Sequence, residues 1–375
     1  MTVVIAAGGT GGHLYPAVAL AREFQRRDPA VKIVFVGTRR GIESKVLAHE
    51  GFELVLISAK PVMGKRLMEV LAGLLSVPAG LWQSWRLLRR RRADLVIGVG
   101  GYTSPTMLAA AALTGIPRVI LEPNAYPGMA NKVVAPFAQR VFLAFESAAA
   151  PFNPSQVRIV GTPIRREFLA QAAGEGPATK SSGGPRLLIF GGSQGAKAIN
   201  SAVIEGLASL AGRLPGLAIT HQTGEADHQR VSDAYRRAGI QARVVPFLYD
   251  MPEAIGAADL VVARAGAMTI AELTACGKPV ILIPLPTAIY DHQMKNARAM
   301  EAAGGAVVLP QAELTGARLS EAVVGVLGDQ ERLAAMRKGS GGMRRTDAAE
   351  VIVRECYDLM GVTHDGNRTV GATGA

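Results

Sequence analysis

Short apolar runs, each closed by a turn-forming residue and followed by apolar positions at helical spacing, recur along most of the chain. Before residue 165 they are Thr2–Ala7, Val31–Gly37, Phe52–Ile57, Leu95–Gly98, Arg118–Leu121, Val141–Ala144 and Val157–Val160. Runs that are apolar on both faces read as buried parallel strands, and the helical stretches between them are the crossovers such strands require. The pattern lapses at Gln171–Pro185, a small, polar, Gly/Pro-rich stretch that reads as a linker or surface loop. It restarts with Arg186–Phe190, a helix to about Arg213, and strands at Leu217–Thr220, Arg243–Pro246, Leu260–Ala263 and Val280–Pro284. The expected fold class is α/β, with two Rossmann-like, doubly wound parallel-sheet domains facing a cleft. Residues 1–165 and 166–343 are the two domains, 344–360 form a last helix open to packing back on the first, and 361–375 read as a disordered tail.

Three of the strands end in glycine-rich turns: Gly8-Gly9-Thr10-Gly11-Gly12-His13, Gly98-Val99-Gly100-Gly101-Tyr102 and Gly191-Gly192-Ser193-Gln194-Gly195-Ala196. A loop without side chains lets the backbone approach an anion, and the helix that follows offers unpaired N–H groups at its positive dipole end. One such turn is weak evidence, because α/β folds also use glycine merely to reverse direction. Three together point to phosphate binding. A dinucleotide cofactor is disfavoured, since the first turn is GGTGGH and the second strand ends Phe35-Val36-Gly37-Thr38-Arg39, with no acid for a ribose. In the second half, a Gly266 turn opens a helix carrying Glu272, a carboxylate able to accept from both hydroxyls of a ribose diol.

Charge sharpens the picture. Of the net +11, residues 1–165 hold all of the excess, with 20 Lys and Arg against 9 Asp and Glu, while the remainder holds 21 of each. An anionic surface or ligand facing the first domain is implied. No apolar stretch is long enough to span a bilayer, and no basic-then-apolar leader precedes the first strand. Cys276 and Cys356 make neither metal spacing nor a disulfide framework and read as small buried hydrophobes.

The combination GGTGGH, GVGGYTS, EPN, GTPIRREF, GGSQGA, RAGAMTIAEL and DHQMKNA resembles the peptidoglycan N-acetylglucosaminyltransferases, and more broadly the GT-B glycosyltransferases, from Gly8 to about Leu359. The resemblance implies transfer of GlcNAc from UDP-GlcNAc to an undecaprenyl-pyrophosphoryl-linked muramoyl-pentapeptide, making a β-1,4 bond with inversion, in peptidoglycan synthesis. It implies that the first domain holds the lipid acceptor and the second the nucleotide sugar, at the cytoplasmic face of the cell membrane, with no cofactor. It further implies that Thr10, Gly11 and Gly12 border donor sugar and acceptor pyrophosphate, and that Asn124 contacts the GlcNAc. Gly100, Gly101, Tyr102, Thr103 and Ser104 face the acceptor pyrophosphate, and Arg165 and Ser193 hold the donor diphosphate. Leu248 lies by the uracil, Ala267, Met268, Thr269, Ile270, Ala271 and Glu272 along the nucleoside and sugar, and Gln293 at a sugar hydroxyl. The chain departs from the pattern at Pro123 and His292, where a glutamine is expected in each case.

The residues themselves carry part of this. No Asp-x-Asp pair occurs, so a metal clamp for a UDP leaving group has no obvious ligands, and hydrogen bonds from the third glycine turn and Arg165 must hold that charge. His13, at a helix start that favours neutral imidazole, is the best general base, with Glu122 second; the plainer role for His13 is to cap its loop. His221 and His228 read as surface residues, and His49 and His364 as incidental.

Between Lys65 and Arg92, Leu71, Leu74, Leu75, Leu81, Trp82, Trp85 and Leu88 recur at helical spacing, with Pro78 expected to split the run into two helices and Lys65, Arg66, Arg86, Arg89, Arg90, Arg91 and Arg92 flanking it. The pattern suits a helix lying in anionic headgroups and equally a crossover helix packing on its sheet, and the lipid-linked acceptor that the resemblance implies favours membrane contact through Leu74, Leu75, Leu81, Trp82, Trp85 and Arg89 to Arg92. Nucleic-acid binding is the weaker alternative for the basic half, with only 5% aromatic content and no recognition motif. Another UDP-sugar enzyme of the same fold, such as a UDP-GlcNAc 2-epimerase, is the nearer one.

Overall fold

Two wholly parallel sheets organise the chain. In the first, β1 (Thr2–Ala7), β2 (Lys32–Gly37), β3 (Glu53–Leu56), β4 (Leu95–Gly100), β5 (Arg118–Glu122), β6 (Arg140–Leu143) and β7 (Val157–Ile159) lie in the order 3-2-1-4-5-6-7. The crossovers are α1 (Gly11–Arg27), α2 (Glu43–His49), α3 (Leu67–Arg91), α4 (Ser104–Leu113) and α5 (Met129–Val134). After α6 (Arg166–Ala172) come β8 (Arg186–Phe190), α7 (Lys197–Arg213), β9 (Ala218–Gln222), α8 (His228–Arg237), β10 (Ala242–Val245), α9 (Met251–Ala257), β11 (Leu260–Ala263), α10 (Ala267–Ala275), β12 (Val280–Leu282), α11 (His292–Ala302) and β13 (Ala306–Val308). Their sheet runs 10-9-8-11-12-13. The chain closes with α12 (Gly316–Leu327), α13 (Gln330–Gly342) and α14 (Ala348–Met360).

The computed structural model describes residues 1–8, 11–38, 43–57, 67–174, 184–288 and 291–362, without the side chains at 45 and 67–77. Thr10, Lys65, Arg66, His364, most of the expected linker and the expected tail beyond residue 362 lie outside the described residues, as do the side chains of Leu71, Leu74 and Leu75.

Both sheets share one winding: chain order reverses between β1 and β4 and again between β8 and β11, so each has a switch point flanked by its first glycine-turn strand. β1 and β4 are buried at every position, as central strands covered on both faces must be. The sequence reading placed no strand at β13, and one of its expectations fails for an identifiable reason. Pro78 does not divide α3, which runs unbroken over 25 residues; a proline forfeits only its own N–H bond, and the turns on either side carry the helix through.

The chain forms two units, Met1–Arg165 with the segment from Thr346, and Arg166–Arg345. In the first, Leu14, Val18, Ala21 and Phe24 on one stripe of α1 meet Ile352, Val353, Cys356 and Tyr357 of α14 in a common core. The Phe24 and Tyr357 rings meet edge to face with centroids 5.8 Å apart, and Arg140 donates to Glu355 at 3.1 Å. Tyr357 is one of the largest fully buried side chains. Truncating Tyr357 to Ala should therefore cost the first unit about 3 kcal/mol or more, read as an earlier urea transition of that unit; a shift below about 1 kcal/mol would mean that α14 is not part of its core.

Candidate functional site

In the first unit the site elements sit at the carboxyl ends of β1, β4 and β5. Pairing of β1 with β4 shifts register there, Ala6 facing Gly98 and Ala7 facing Gly100, so Val99 is an extra residue that starts the second glycine turn. Gly101 follows with φ +77°, and a Cβ on it would collide with the Gly8 carbonyl oxygen, so the two turns touch backbone to backbone. The hydroxyls that looked available for ligand are already used. Ser104 Oγ accepts from Gly100 N at 3.0 Å and lies 3.0 Å from the Ala6 carbonyl and 2.8 Å from that of Gly100. Thr103 Oγ1 donates to the Val36 carbonyl at 3.3 Å. Both residues are fully buried and fasten the turn to the strand ends, leaving Tyr102 as its exposed side chain.

His13, in the first turn of α1, sets its ring over this turn: a Cβ on Gly100 would stand 3.0 Å from His13 Nε2. Two residues on, the Tyr15 ring carries the Arg165 guanidinium 5.4 Å from its centroid. Glu122, at the end of β5, is buried with both carboxylate oxygens occupied. Oε1 accepts from Asn124 N and Nδ2, each at 3.0 Å, and Oε2 from Gly128 N at 2.8 Å and Asn131 Nδ2 at 2.9 Å. Four donors on one carboxylate make it the organiser of the loop that carries Asn124.

In the second unit, the third turn is pressed onto the end of β9. Gly195 has φ +74°, and a Cβ there would collide with the Thr223 carbonyl. Ser193 is exposed, and α7 begins behind it with no side-chain cap on its first N–H groups, an arrangement suited to an anion. Leu248 is buried between two exposed neighbours in sequence, Phe247 and Tyr249, the latter 89% exposed; their rings meet edge-on with centroids 4.8 Å apart. Arg243 closes the loop with a fork to Asp250, at 2.7 and 2.9 Å, and that guanidinium holds the Asp250 carboxyl below its usual range. On α10, Ala267, Met268 and Ile270 face the core, Thr269 and Ala271 are half-buried, and Glu272 is 8% exposed in the second turn. Gln293 Oε1 accepts from Leu285 N at 3.0 Å, tying α11 to the end of β12; His292 is half-buried beside it.

Two polar groups escaped the sequence reading. Arg264 donates to the Ile283 and Pro284 carbonyls and to Gln311 Oε1, pinning the loop after β12. His221, expected at the surface, is 0% exposed, with Nδ1 3.2 Å from Tyr235 Oη and Nε2 3.1 Å from Asn200 Oδ1. The available signal was the strand period, since His221 shares a face of β9 with the buried Ile219. His228 is half-buried with Nε2 3.3 Å from the Val244 carbonyl. Cys356 is fully buried as expected, whereas Cys276 is only partly so; burial pushes its thiol up to about 11.

Along α3, Leu87 and Leu88 turn inward, and so does Leu81, which packs on the core instead of facing out. Trp82 and Trp85 turn outward, 55% and 36% exposed, with Arg86 stacked on Trp82 at 5.3 Å and Arg89 on Trp85 at 5.0 Å. Arg90 and Arg92 are exposed, and Arg91 pairs with Glu53. Among the described residues no helix is long and apolar enough to cross a membrane, and no cluster of His, Cys, Asp or Glu is placed to hold a metal.

Known proteins match over nearly the whole chain. The N-terminal domain model of glycosyltransferase family 28 matches residues 3–143, and its C-terminal domain model residues 186–352. A Myxococcus xanthus protein named UDP-N-acetylglucosamine--N-acetylmuramyl-(pentapeptide) pyrophosphoryl-undecaprenol N-acetylglucosamine transferase is 44% identical over 96% of this chain and 93% of its own length. The chain belongs to glycosyltransferase family 28. The crystal structure of another such protein, Acinetobacter baumannii MurG, superposes with a TM-score of 0.77 at 26% identity, over 96% of this chain and all of that one. It supports GT-B architecture for the family 28 fold described above. A Neisseria meningitidis UDP-GlcNAc 2-epimerase bound to UDP-GlcNAc, with a TM-score of 0.68 at 15% identity over 96% of this chain and 100% of its own, shares the fold alone.

Burial pushes the His221 imidazole down to about 3. Unfolding exposes it and restores a value near 6.5, so the unfolded state binds the extra proton between those limits and stability falls as pH drops through that window, at up to about 1.4 kcal/mol per pH unit. Urea midpoints taken from pH 7 to pH 4.5 should show this slope, and His221→Gln should flatten it; an equal slope in both proteins would place the proton uptake elsewhere.

Proposed function

We propose that this protein is an inverting N-acetylglucosaminyltransferase that moves GlcNAc from UDP-GlcNAc to undecaprenyl-pyrophosphoryl-MurNAc-pentapeptide, forming a β-1,4 linkage in peptidoglycan synthesis. The observation that carries this reading is 44% identity, across 96% of the chain, to a protein bearing that name. The geometry of both units supports it.

In this reading the second unit takes the donor. The Ser193 turn and the start of α7 hold the diphosphate. Leu248 lies against the uracil, Glu272 accepts from the ribose hydroxyls, and Gln293 meets a sugar hydroxyl. The first unit takes the acceptor, with the glycine turns after β1 and β4 against its pyrophosphate and Asn124 at the sugar. The acceptor 4-hydroxyl attacks C1 of GlcNAc as the C1–O bond to UDP breaks, and His13 removes the hydroxyl proton. Glu122 holds Asn124 in place, both of its carboxylate oxygens being taken up by donors from that loop. UDP departs into N–H groups already aimed at its charge, so no reorganisation is needed as that charge develops.

The outward face of α3 supports a peripheral place on an anionic membrane. Its tryptophans are amphipathic and large, and arginines stacked on them keep their charge at the headgroup level. Core packing and lipid contact need not compete, since Leu87 and Leu88 take one face and Trp82 and Trp85 the other.

The deciding assay is transfer of labelled GlcNAc from UDP-GlcNAc to a short-chain lipid-linked acceptor. Product that needs the acceptor and persists in EDTA supports the reading, whereas epimerised nucleotide sugar formed without acceptor would replace it with the epimerase. His13→Ala should lower kcat by about 10² to 10⁴ with little change in donor KM, and a loss under threefold would move the base elsewhere. Glu272→Ala should raise donor KM by about 10- to 100-fold and leave acceptor KM alone; an unchanged donor KM in folded protein would overturn that assignment. Trp82→Ser with Trp85→Ser should cut sedimentation with anionic vesicles while UDP binding survives, and equal sedimentation would remove α3 from the membrane contact.

A further inference from the structure

The polar group buried behind the third glycine turn has a single consistent direction of hydrogen bonding. Asn200, one turn into α7, gives its Nδ2 hydrogens to the Thr223 carbonyl at 2.9 Å and to Asp227 Oδ2 at 2.8 Å. Both partners only accept, so the amide orientation is fixed and Oδ1 is the atom that faces His221 Nε2 at 3.1 Å. Nε2 must then carry the proton. In a neutral ring Nδ1 is left as an acceptor, which receives the Tyr235 hydroxyl at 3.2 Å. The sequence of donations runs from Tyr235 to His221 to Asn200 and ends on Thr223 and on Asp227, which Arg230 grips at 3.0 and 2.9 Å.

Thr223 is also where the turn rests. Its carbonyl lies so close to Gly195 that no side chain fits between them, and a Cβ on Gly224 would likewise collide with the Gln194 carbonyl. Asn200 therefore ties two things that a phosphate at this turn would sense: the first turn of α7, whose Ala196 carbonyl accepts from Asn200 N at 2.9 Å, and the end of β9, on which Gly191–Gly195 lies. Side chain and backbone of one residue fix helix and strand together.

We infer that His221 is a positioning residue for the donor diphosphate, holding Asn200 so that the Gly191–Gly195 turn and the N-terminus of α7 keep the spacing that receives two phosphates. The inference rests on the reading that this turn binds the donor diphosphate. His221 touches no ligand itself and acts through Asn200 and Thr223. An apolar replacement leaves Asn200 Oδ1 and the Tyr235 hydroxyl without their partner inside the core, and the Asn200 amide is then free to turn away from Thr223.

The test compares UDP with uridine, because only UDP carries the phosphates. Calorimetry on wild type, His221→Leu, His221→Gln and Tyr235→Phe, each checked for native circular dichroism and a cooperative melt, measures both ligands. UDP affinity should fall on the order of 10-fold in His221→Leu while uridine affinity holds, and the donor KM should rise in parallel with kcat unchanged. His221→Gln, whose amide can still donate to Asn200, should recover most of the loss, and Tyr235→Phe, which packs as before, should show a smaller loss of the same kind. Equal losses of UDP and uridine would reduce His221 to general support of the fold, and full UDP affinity in His221→Leu would overturn the inference outright. Should His221→Leu fail to fold, Tyr235→Phe decides alone, an unchanged ratio of UDP to uridine affinity counting against the inference. Wild type that binds UDP no better than uridine would instead overturn the diphosphate assignment of the turn, leaving the His221 network as a matter of stability.

Discussion

Contact between bare backbones at the ends of neighbouring strands is the constraint on which the rest depends. Gly101 against the Gly8 carbonyl, and Gly195 against that of Thr223, bring loops closer than any side chain would permit. Helix starts are set directly behind these turns, and that of α7 carries no side-chain cap. Under the proposed function, phosphate binding is a by-product of how tightly two turns can be stacked. Both units use the device beside the same strand of the same winding, so the chain solves one problem twice with unrelated residues around it: Ser104 and Thr103 in one case, Asn200 and His221 in the other.

Buried polar groups divide here according to whether they complete their partners locally. Glu122 gathers four donors from within ten residues of itself, and His221 joins a strand to two helices. Each is costly to bury and each is satisfied, which is what keeps the loops at these strand ends from relaxing into alternatives. The same bookkeeping explains why the hydroxyls of Thr103 and Ser104, attractive as ligands on paper, serve as fasteners.

Much of this was legible in the sequence. Apolar runs such as Thr2–Ala7 and Leu260–Ala263 declare buried parallel strands because nothing else tolerates them, and the glycine turns mark strand ends because only glycine supplies both the dihedral and the clearance. The resemblance carried by RAGAMTIAEL and DHQMKNA supplied the family. What could not be read was the orientation of single side chains. Leu81 and Trp82 are neighbours in sequence, yet one packs inward and the other outward, and His221 hides in a strand whose neighbours include polar residues. Pro78 misled because its cost is local and the rest of a 25-residue helix outweighs it. The Arg264 guanidinium is invisible to any pattern, since its three acceptors come from residues 283, 284 and 311.

The place of α14 has a consequence for how the molecule comes into being. Its side chains complete a core begun by β1 and α1, while the whole of Arg166–Arg345 lies between them in the chain. The second unit is topologically an insertion in the first. During synthesis the ribosome releases every residue of the inserted unit before it releases the helix that closes the earlier one, so the later-coded unit is able to finish folding first. Until then the α1 stripe around Phe24 has no helix to cover it. The first unit completes its core only with a helix coded after the whole of the second.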